Sequence, residues 1–159
     1  MRLARASDVE AIADLLGQLG YPTTPREAEA RLARLEAHGH AIAMVAEVQG
    51  RVVGLVTAHV FPSIHDAPPA AWLTTLVVDA AHASQGLGRQ LCAAAEEWAE
   101  HRGAVRISVS SGEHRNQAHV FYERIGYRPT GRRLTKTIHR STPATRPGAE
   151  ADGDGVSGG

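Results

Sequence analysis

The sequence predicts a single α/β domain, a mixed and mostly antiparallel central sheet flanked by about four helices. Three observations carry that expectation. Apolar residues recur with strand and helix periods in the order β-α-α-β-β-β-α-β-α-β-β. The strand-forming run ending at Val77-Val78 meets a short loop, after which Gly86-Leu87-Gly88 opens a long amphipathic helix. From Ser141 the chain turns to Thr, Pro, Ala, Gly and acidic residues, which have almost nothing to bury. The domain is therefore expected over residues 1–140 and a disordered tail over 141–159.

Each element has a local reason. Leu3 to Ala6 reads as a short first strand. Ser7-Asp8 offers N-caps before Val9, Ile12, Leu15, Leu16 and Leu19, which share a helical face stopped by Gly20 and Pro22. Thr24-Pro25 opens a second helix with Ala28, Leu32 and Leu35 on one face, ended by Gly39. Ala41–Glu47 and Arg51–Phe61 read as strands joined by a Gln49-Gly50 hairpin turn. Pro62 to Pro69 reads as a proline-bearing loop, and its three prolines suggest a cover over a site. Trp72–Val78 is almost continuously apolar or β-branched, as a central strand is. Gly86–Arg102 is a helix with Leu87, Leu91, Ala94, Ala95 and Trp98 on one stripe. Val105–Ser110 alternates Val105, Ile107 and Val109 inward. A helix from Asn116 or Gln117 to Ile125 stops at Gly126, and Tyr127–Pro129 and Leu134–Ile138 read as final strands.

Composition narrows the function classes. Lys plus Arg and Asp plus Glu both number 17, which argues against a nucleic-acid or membrane-surface binder. No apolar run approaches a membrane span, and no signal-peptide core follows Met1-Arg2-Leu3. The single cysteine, Cys92, excludes an internal disulfide and sits in an alanine-rich helix as packing does. A cytoplasmic setting is the expectation. No pair among the nine histidines has an i, i+4 ligand pattern with a carboxylate, so no metal is expected.

Two motifs carry chemistry. The glycine loop lets backbone N–H groups approach a ligand, and the following helix start adds unpaired donors, together a phosphate site. A glycine pair also serves helix–strand packing. It is neither a dinucleotide fingerprint, because Gln90-Leu91 fills the place of the third glycine, nor a P-loop, because no Gly-Lys-Ser/Thr follows. The second motif is Ala118-His119-Val120-Phe121-Tyr122-Glu123-Arg124-Ile125-Gly126-Tyr127. Phe121 and Ile125 read as core, whereas a buried Tyr122 needs a partner for its hydroxyl.

In this order, about thirty residues apart, the two motifs resemble the GNAT superfamily of acyl-CoA-dependent N-acetyltransferases, over roughly residues 2–139. The resemblance implies two splayed neighbouring strands, here Trp72–Val78 and Val105–Val109, with acetyl-CoA between them. Leu76, Val77 and Val78 would pair with the pantetheine arm as an added strand. Gln85, Gly86, Leu87, Gly88 and Arg89 would hold the pyrophosphate, with Arg115, Ala118 and Tyr122 completing the cofactor site. Tyr122 is implied as the general acid for the departing thiolate, and a backbone N–H near Val77 or Val78 as the oxyanion donor. Segments Ala58–His65 and Glu113–His119 are similar to the aminoalkylphosphonate branch, and the carboxy-terminal half to antibiotic-acetylating members.

Departures from that pattern are specific. Ala83 stands where the family loop carries Gln or Arg, and Ser84 where a first glycine is common. The lost side-chain contact to phosphate is on the scale of about 1–3 kcal/mol. Leu73-Thr74-Thr75-Leu76 holds no carboxylate where many members carry a Glu base. A primary amine has a pKa near 10.4, so on the order of one molecule in a thousand is neutral at pH 7 and a proton acceptor is required. His82 and His119 are the first candidates, beside His114, Asp66 and Glu113. The expected function is acetyl transfer from acetyl-CoA to a small-molecule primary amine. Alternatives are a protein lysine or N-terminal acetyltransferase and a CoA-binding module without turnover. No nucleic-acid or membrane partner is expected; a homodimer accords with the resemblance.

Overall fold

The computed structural model describes residues 1–64, 66–112, 115–131 and 133–138. Five strands, β1 (Arg2–Leu3), β2 (Ala41–Val48), β3 (Arg51–Ser63), β4 (Asp66–Val78) and β5 (Ile107–Val109), form one sheet in chain order. The first four are antiparallel and β5 joins β4 in parallel. Helices α1 (Val9–Leu19) and α2 (Pro25–Ala37) cover one face. Helices α3 (Leu87–His101) and α4 (Asn116–Arg124) cover the other.

Local chemistry accounts for the boundaries. Glycine in the left-handed region (φ 100°) at position 20 ends α1 and donates to the Leu16 and Gly17 carbonyls. Thr24 and Glu27 form a reciprocal capping box with Pro25 in the first turn of α2. Gln49 and Gly50 both take positive φ (51° and 76°), the two-residue turn that matches strand twist.

Burial explains how the layers hold. Val45, Leu55 and Val77 meet Ile12, Leu15, Ala28 and Leu32 under α1 and α2. Val53, Val56, Ala58 and Leu73 meet Leu87, Leu91, Cys92 and Ala95 under α3. At the α3 contact the helix lies so close that a Cβ on Gly54 would stand 2.9 Å from Leu91 Cδ1 and 3.3 Å from the Val77 carbonyl. Only glycine admits that approach.

Four expectations are corrected. The strand read at Leu3–Ala6 is Arg2–Leu3, and residues 6–8 form a 3-10 turn instead. The loop read at 62–69 is the far end of the β3–β4 hairpin. Its prolines sit where the ladder is irregular, between the Phe61–Ala70 and Ser63–Asp66 pairs, so the missing N–H groups break few ladder bonds. These residues extend the sheet rather than cover a site. The strand read at Val105–Ser110 shrinks to Ile107–Val109, and Val105 is exposed rather than inward. Residues 127–129 and 134–138 form no strand; Leu134 and Ile138 are exposed, leaving their alternation without a face to bury. The tail read at 141–159 lies outside the described residues.

The amino terminus is fixed by one charged cluster. Arg2 grips the buried Asp8 carboxylate with both terminal nitrogens, at 2.7 and 2.9 Å, and the Arg5 N–H donates to the same carboxylate at 2.8 Å. The Arg2 bond, ahead of the others, holds the Asp8 carboxyl below the usual carboxylate range. A depressed carboxylate stabilises the fold above its unfolded value, and that contribution is lost as pH falls through the folded one. Asp8→Asn is therefore expected to cost about 2–3 kcal/mol at pH 7. Urea titrations from pH 7 to pH 3 should show the gap between wild type and variant closing below about pH 4.

Candidate active site

The site begins where two strands part. β5 pairs with β4 only at Ala71–Ile107, Trp72–Ser108 and Leu73–Val109. Beyond Leu73 the central strand keeps its β3 partners, Thr75–Thr57 through Val78–Gly54, but has none on the β5 side among the described residues. A register shift at this point leaves Thr74 extra in the ladder. The stretch containing Leu76, Val77 and Val78 thus offers a free backbone edge, as a strand-like ligand requires.

That edge runs into the glycine loop. The Asp79 N–H donates to the Val53 carbonyl at 2.8 Å, and its carboxylate accepts from the Ala81 N–H at 2.8 Å. Gln18 of α1 clamps the same turn, donating to Asp79 Oδ2 at 3.2 Å and accepting from the Ala80 N–H at 3.0 Å. These bonds, Gln18 first, hold the Asp79 carboxyl below its ordinary range. His82 sits beside this carboxylate, Nδ1 to Oδ1 3.4 Å. Ser84 takes φ 63°, so the departure from glycine keeps the left-handed backbone glycine would have supplied.

Gly86 precedes α3 at φ 78° with no side-chain cap, and nothing lies within 4 Å of where its Cβ would be. The N–H groups of Leu87, Gly88 and Arg89 have no acceptor among the described residues. Open space before uncapped helix N–H groups fits a pyrophosphate. Gly88 faces α4: a Cβ there would stand 3.4 Å from the Phe121 ring, ordinary contact distance. Gln85 and Arg89 are exposed at the loop.

Helix α4 brings Tyr122 against the core formed by Leu91, Cys92 and Leu73. Its ring lies 5.2 Å from Phe121 and 5.4 Å from Tyr127. Burial first, then the neighbouring Cys92, push the phenol up to about 12 against the opposing Arg115. The hydroxyl has no hydrogen-bond partner among the described residues. Tyr127 instead donates to Glu96 at 2.9 Å and ties α4 to α3. Arg115 is drawn to the end of α1, where it donates to the Leu19 carbonyl at 2.6 Å. Ala118 and His119 are half-buried in the first turn of α4, both donating backbone N–H groups to the Arg115 carbonyl. Burial lifts the Cys92 thiol to about 12, which leaves it inert beside the site.

On the opposite face, between α1, α2 and the sheet, lies a cavity of about 510 Å³. Ile12, Leu16, Leu32, Leu35 and Leu55 form its apolar walls; Thr57, His59, Thr74 and Thr75 form its strand floor; Arg31, Arg34 and His38 come from α2 and its end. No carboxylate lines it among the described residues. The Thr57 and Thr74 hydroxyls bond each other at 2.8 Å. The cavity therefore adjoins β4 where β5 leaves it.

Leu76, Val78, Leu87 and Tyr122 pack on one core under α3, with Gln85–Arg89 at the start of that helix, while Val77 faces the α1–α2 side. Arg115 is turned towards α1, and neither His82 nor His119 lines the cavity. His114 and Glu113 lie outside the described residues. Sequence reading missed His59, His38, Arg31 and Arg34 as a group. The alternation of Leu55, Thr57 and His59 along β3 was the available signal, but nothing in the sequence ties that face to α2.

A sheet parted beside a glycine-opened helix defines an acyl-CoA-dependent transferase. The chain belongs to the Acetyltransferase (GNAT) family, whose profile matches residues 9–127. It is an acetyltransferase and its co-substrate is acetyl-CoA. Among curated proteins it is 37% identical over 89 residues to an aminoalkylphosphonate N-acetyltransferase of Salmonella typhimurium, covering 56% of this chain and 58% of that one. It is 31% identical over 134 residues to the uncharacterized N-acetyltransferase YhfO of Bacillus subtilis, covering 80% and 88%. The aminoglycoside N-acetyltransferase AAC(6')-Iy, solved in complex with CoA, shares the fold at TM-score 0.76 and 18% identity, covering 86% of this chain and 92% of that one. No helix among the described residues is long and apolar enough to cross a membrane.

Two substitutions test the loop. Gly86→Val forces a β-branched residue into the left-handed region and fills the open space, so acetyl-CoA should bind at least tenfold more weakly by calorimetry. Ala83→Arg adds a cation beside the uncapped N–H groups and should tighten binding about tenfold, the scale of a 1–3 kcal/mol contact. Unchanged affinity in both would mean that the phosphates lie elsewhere.

Proposed function

We propose that the chain transfers the acetyl group of acetyl-CoA to the primary amine of a small molecule held in the α1–α2 cavity. The single observation that carries this reading is the position of that cavity, against β4 where the strand loses its β5 neighbour and across the sheet from Tyr122. When bound, acetyl-CoA supplies a thioester that an uncharged amine attacks. The free edge of Thr75–Val78 orients it, and a backbone N–H near Val77 or Val78 faces the carbonyl oxygen. Tyr122, protonated at neutral pH, donates to the departing sulfur. His82, paired with Asp79, and His119 on α4 are the proton acceptors that the sequence offers near the cofactor.

Charge supports a narrower acceptor. A cavity with Arg31 and Arg34 at its wall and no carboxylate among the described residues repels polycations and suits an amine bearing an anionic group. Salmonella's aminoalkylphosphonate N-acetyltransferase acts on amines of that kind by its name, whereas aminoglycosides carry several ammonium groups. A cavity of this size, walled by two helices, also favours a small acceptor over a protein lysine. A homodimer enters the reading only through the family resemblance.

Thiol release from acetyl-CoA should therefore be fast with 2-aminoethylphosphonate or β-alanine and slow with kanamycin or a lysine peptide. Arg34→Glu should raise KM for the anionic amines about tenfold. Tyr122→Phe should lower kcat about 10²-fold and leave acetyl-CoA affinity within twofold. Acetyl-CoA binding without thiol release from any amine would favour a non-catalytic CoA module instead.

A further inference from the structure

The cavity contains a titratable group that the cofactor side does not. Along β3 the period-2 alternation puts Leu55, Thr57 and His59 on the cavity face. The Thr57 and Thr74 hydroxyls satisfy each other, whereas the His59 ring has no hydrogen-bond partner among the described residues. His38, at the end of α2, stands edge-on to it with ring centroids 5.7 Å apart. His38 is the charged or titratable group shown beside the ring, and the others lining the same cavity among the described residues are neutral or cationic: Tyr21 before α2, and Arg31 and Arg34 on α2.

We infer that His59 accepts the proton of the attacking amine through water in the cavity, because it is the half-buried imidazole on the cavity floor and, among the described residues, its ring nitrogens have no partner and no carboxylate lines the cavity. The inference rests on amine acetylation at this site. The surroundings of the ring favour its basic form. Burial first and His38 second push the imidazolium below its ordinary range, so His59 is neutral at pH 7. A group depressed in this way works as a base above its own pKa and is lost to protonation as pH falls below about 6.5.

The step balances without any further reactant. His59 takes one proton from the ammonium, and the nitrogen lone pair forms the N–C bond. The C–S bond breaks and sulfur leaves with the electron pair, protonated through Tyr122. The second nitrogen proton and the imidazolium proton return to water and to the phenolate, so one amide, one thiol and one net proton are released.

The pH dependence of kcat/KM for 2-aminoethylphosphonate tests this, from pH 5.5 to 9.5, in wild type, His59→Gln, His82→Gln and His119→Gln. With a neutral base the enzyme uses the abundant ammonium form, so the wild-type rate rises below about pH 6.5 and then stays flat. Without it only the free amine reacts, so His59→Gln should fall about 10²-fold at pH 7 and then climb tenfold per pH unit with no plateau. A structural role would not change the shape of the profile. A plateau kept in His59→Gln, or lost in His82→Gln or His119→Gln instead, overturns the assignment. In the wild-type chain the His59 ring resonance must titrate at the kinetic midpoint; a midpoint more than one pH unit away also overturns it, whether or not the variant folds. No thiol release with any amine would overturn the acetyl-transfer reading itself, whereas turnover with the wrong profile removes only His59.

Discussion

The parting of β4 from β5 after Leu73 is the constraint on which the rest depends. A buried backbone edge without a partner is costly, since each unsatisfied donor or acceptor forfeits about 1–3 kcal/mol. An interior strand therefore stays unpaired only where a ligand or water completes it. Here the exposed edge begins where Thr74 is extruded from the β3 ladder, so one irregularity both ends the pairing and turns two consecutive threonines to the cavity. The bulge joins the cofactor gap to the acceptor cavity within a single strand.

Holding that edge in register falls to close packing rather than to charge. Leu91 seats so tightly over Gly54 that α3 cannot shift along the sheet without a clash, and its first turn is thereby fixed at the end of β4. Phe121 rests on α3 beside Gly88 at ordinary contact distance, and Tyr127 bonded to Glu96 ties the far end of α4 to α3. Tyr122 lies between these two contacts.

Much of this was legible in the sequence because it is local. The capped helices, the Gln49-Gly50 turn and the strand–glycine–helix junction depend on neighbours a few residues apart. The glycine loop and the Phe-Tyr helix were legible as a pair of motifs whose order pointed to the family. Long-range facts were not. The prolines at 62, 68 and 69 signal a loop until β3 is seen to run alongside and to leave the ladder irregular where they fall. Nothing in the sequence links Arg115 to the Leu19 carbonyl, 96 residues away, to which it donates. Alternation in Leu134–Ile138 marks a strand only where a neighbouring edge is at hand. His59 gave no motif because its significance lies in α2, which packs on it from an unrelated stretch of chain.

The two faces of the sheet also divide the chemistry in a way a single pocket would not. Loss of a proton from an ammonium needs a cationic but dry neighbourhood, which lowers the pKa of any amine or imidazole within it. Protonation of a leaving thiolate needs a donor that carries its proton at neutral pH, and the phenol of Tyr122, buried against Cys92, is held in that form. Arg31 and Arg34 of the cavity lie across β4 from the phenol, on which Arg115 is the opposing charge. Ala83 lies on the loop, apart from the close Gly54–Leu91 contact that seats α3 on the sheet, so a substitution at 83 is expected to leave that contact unchanged.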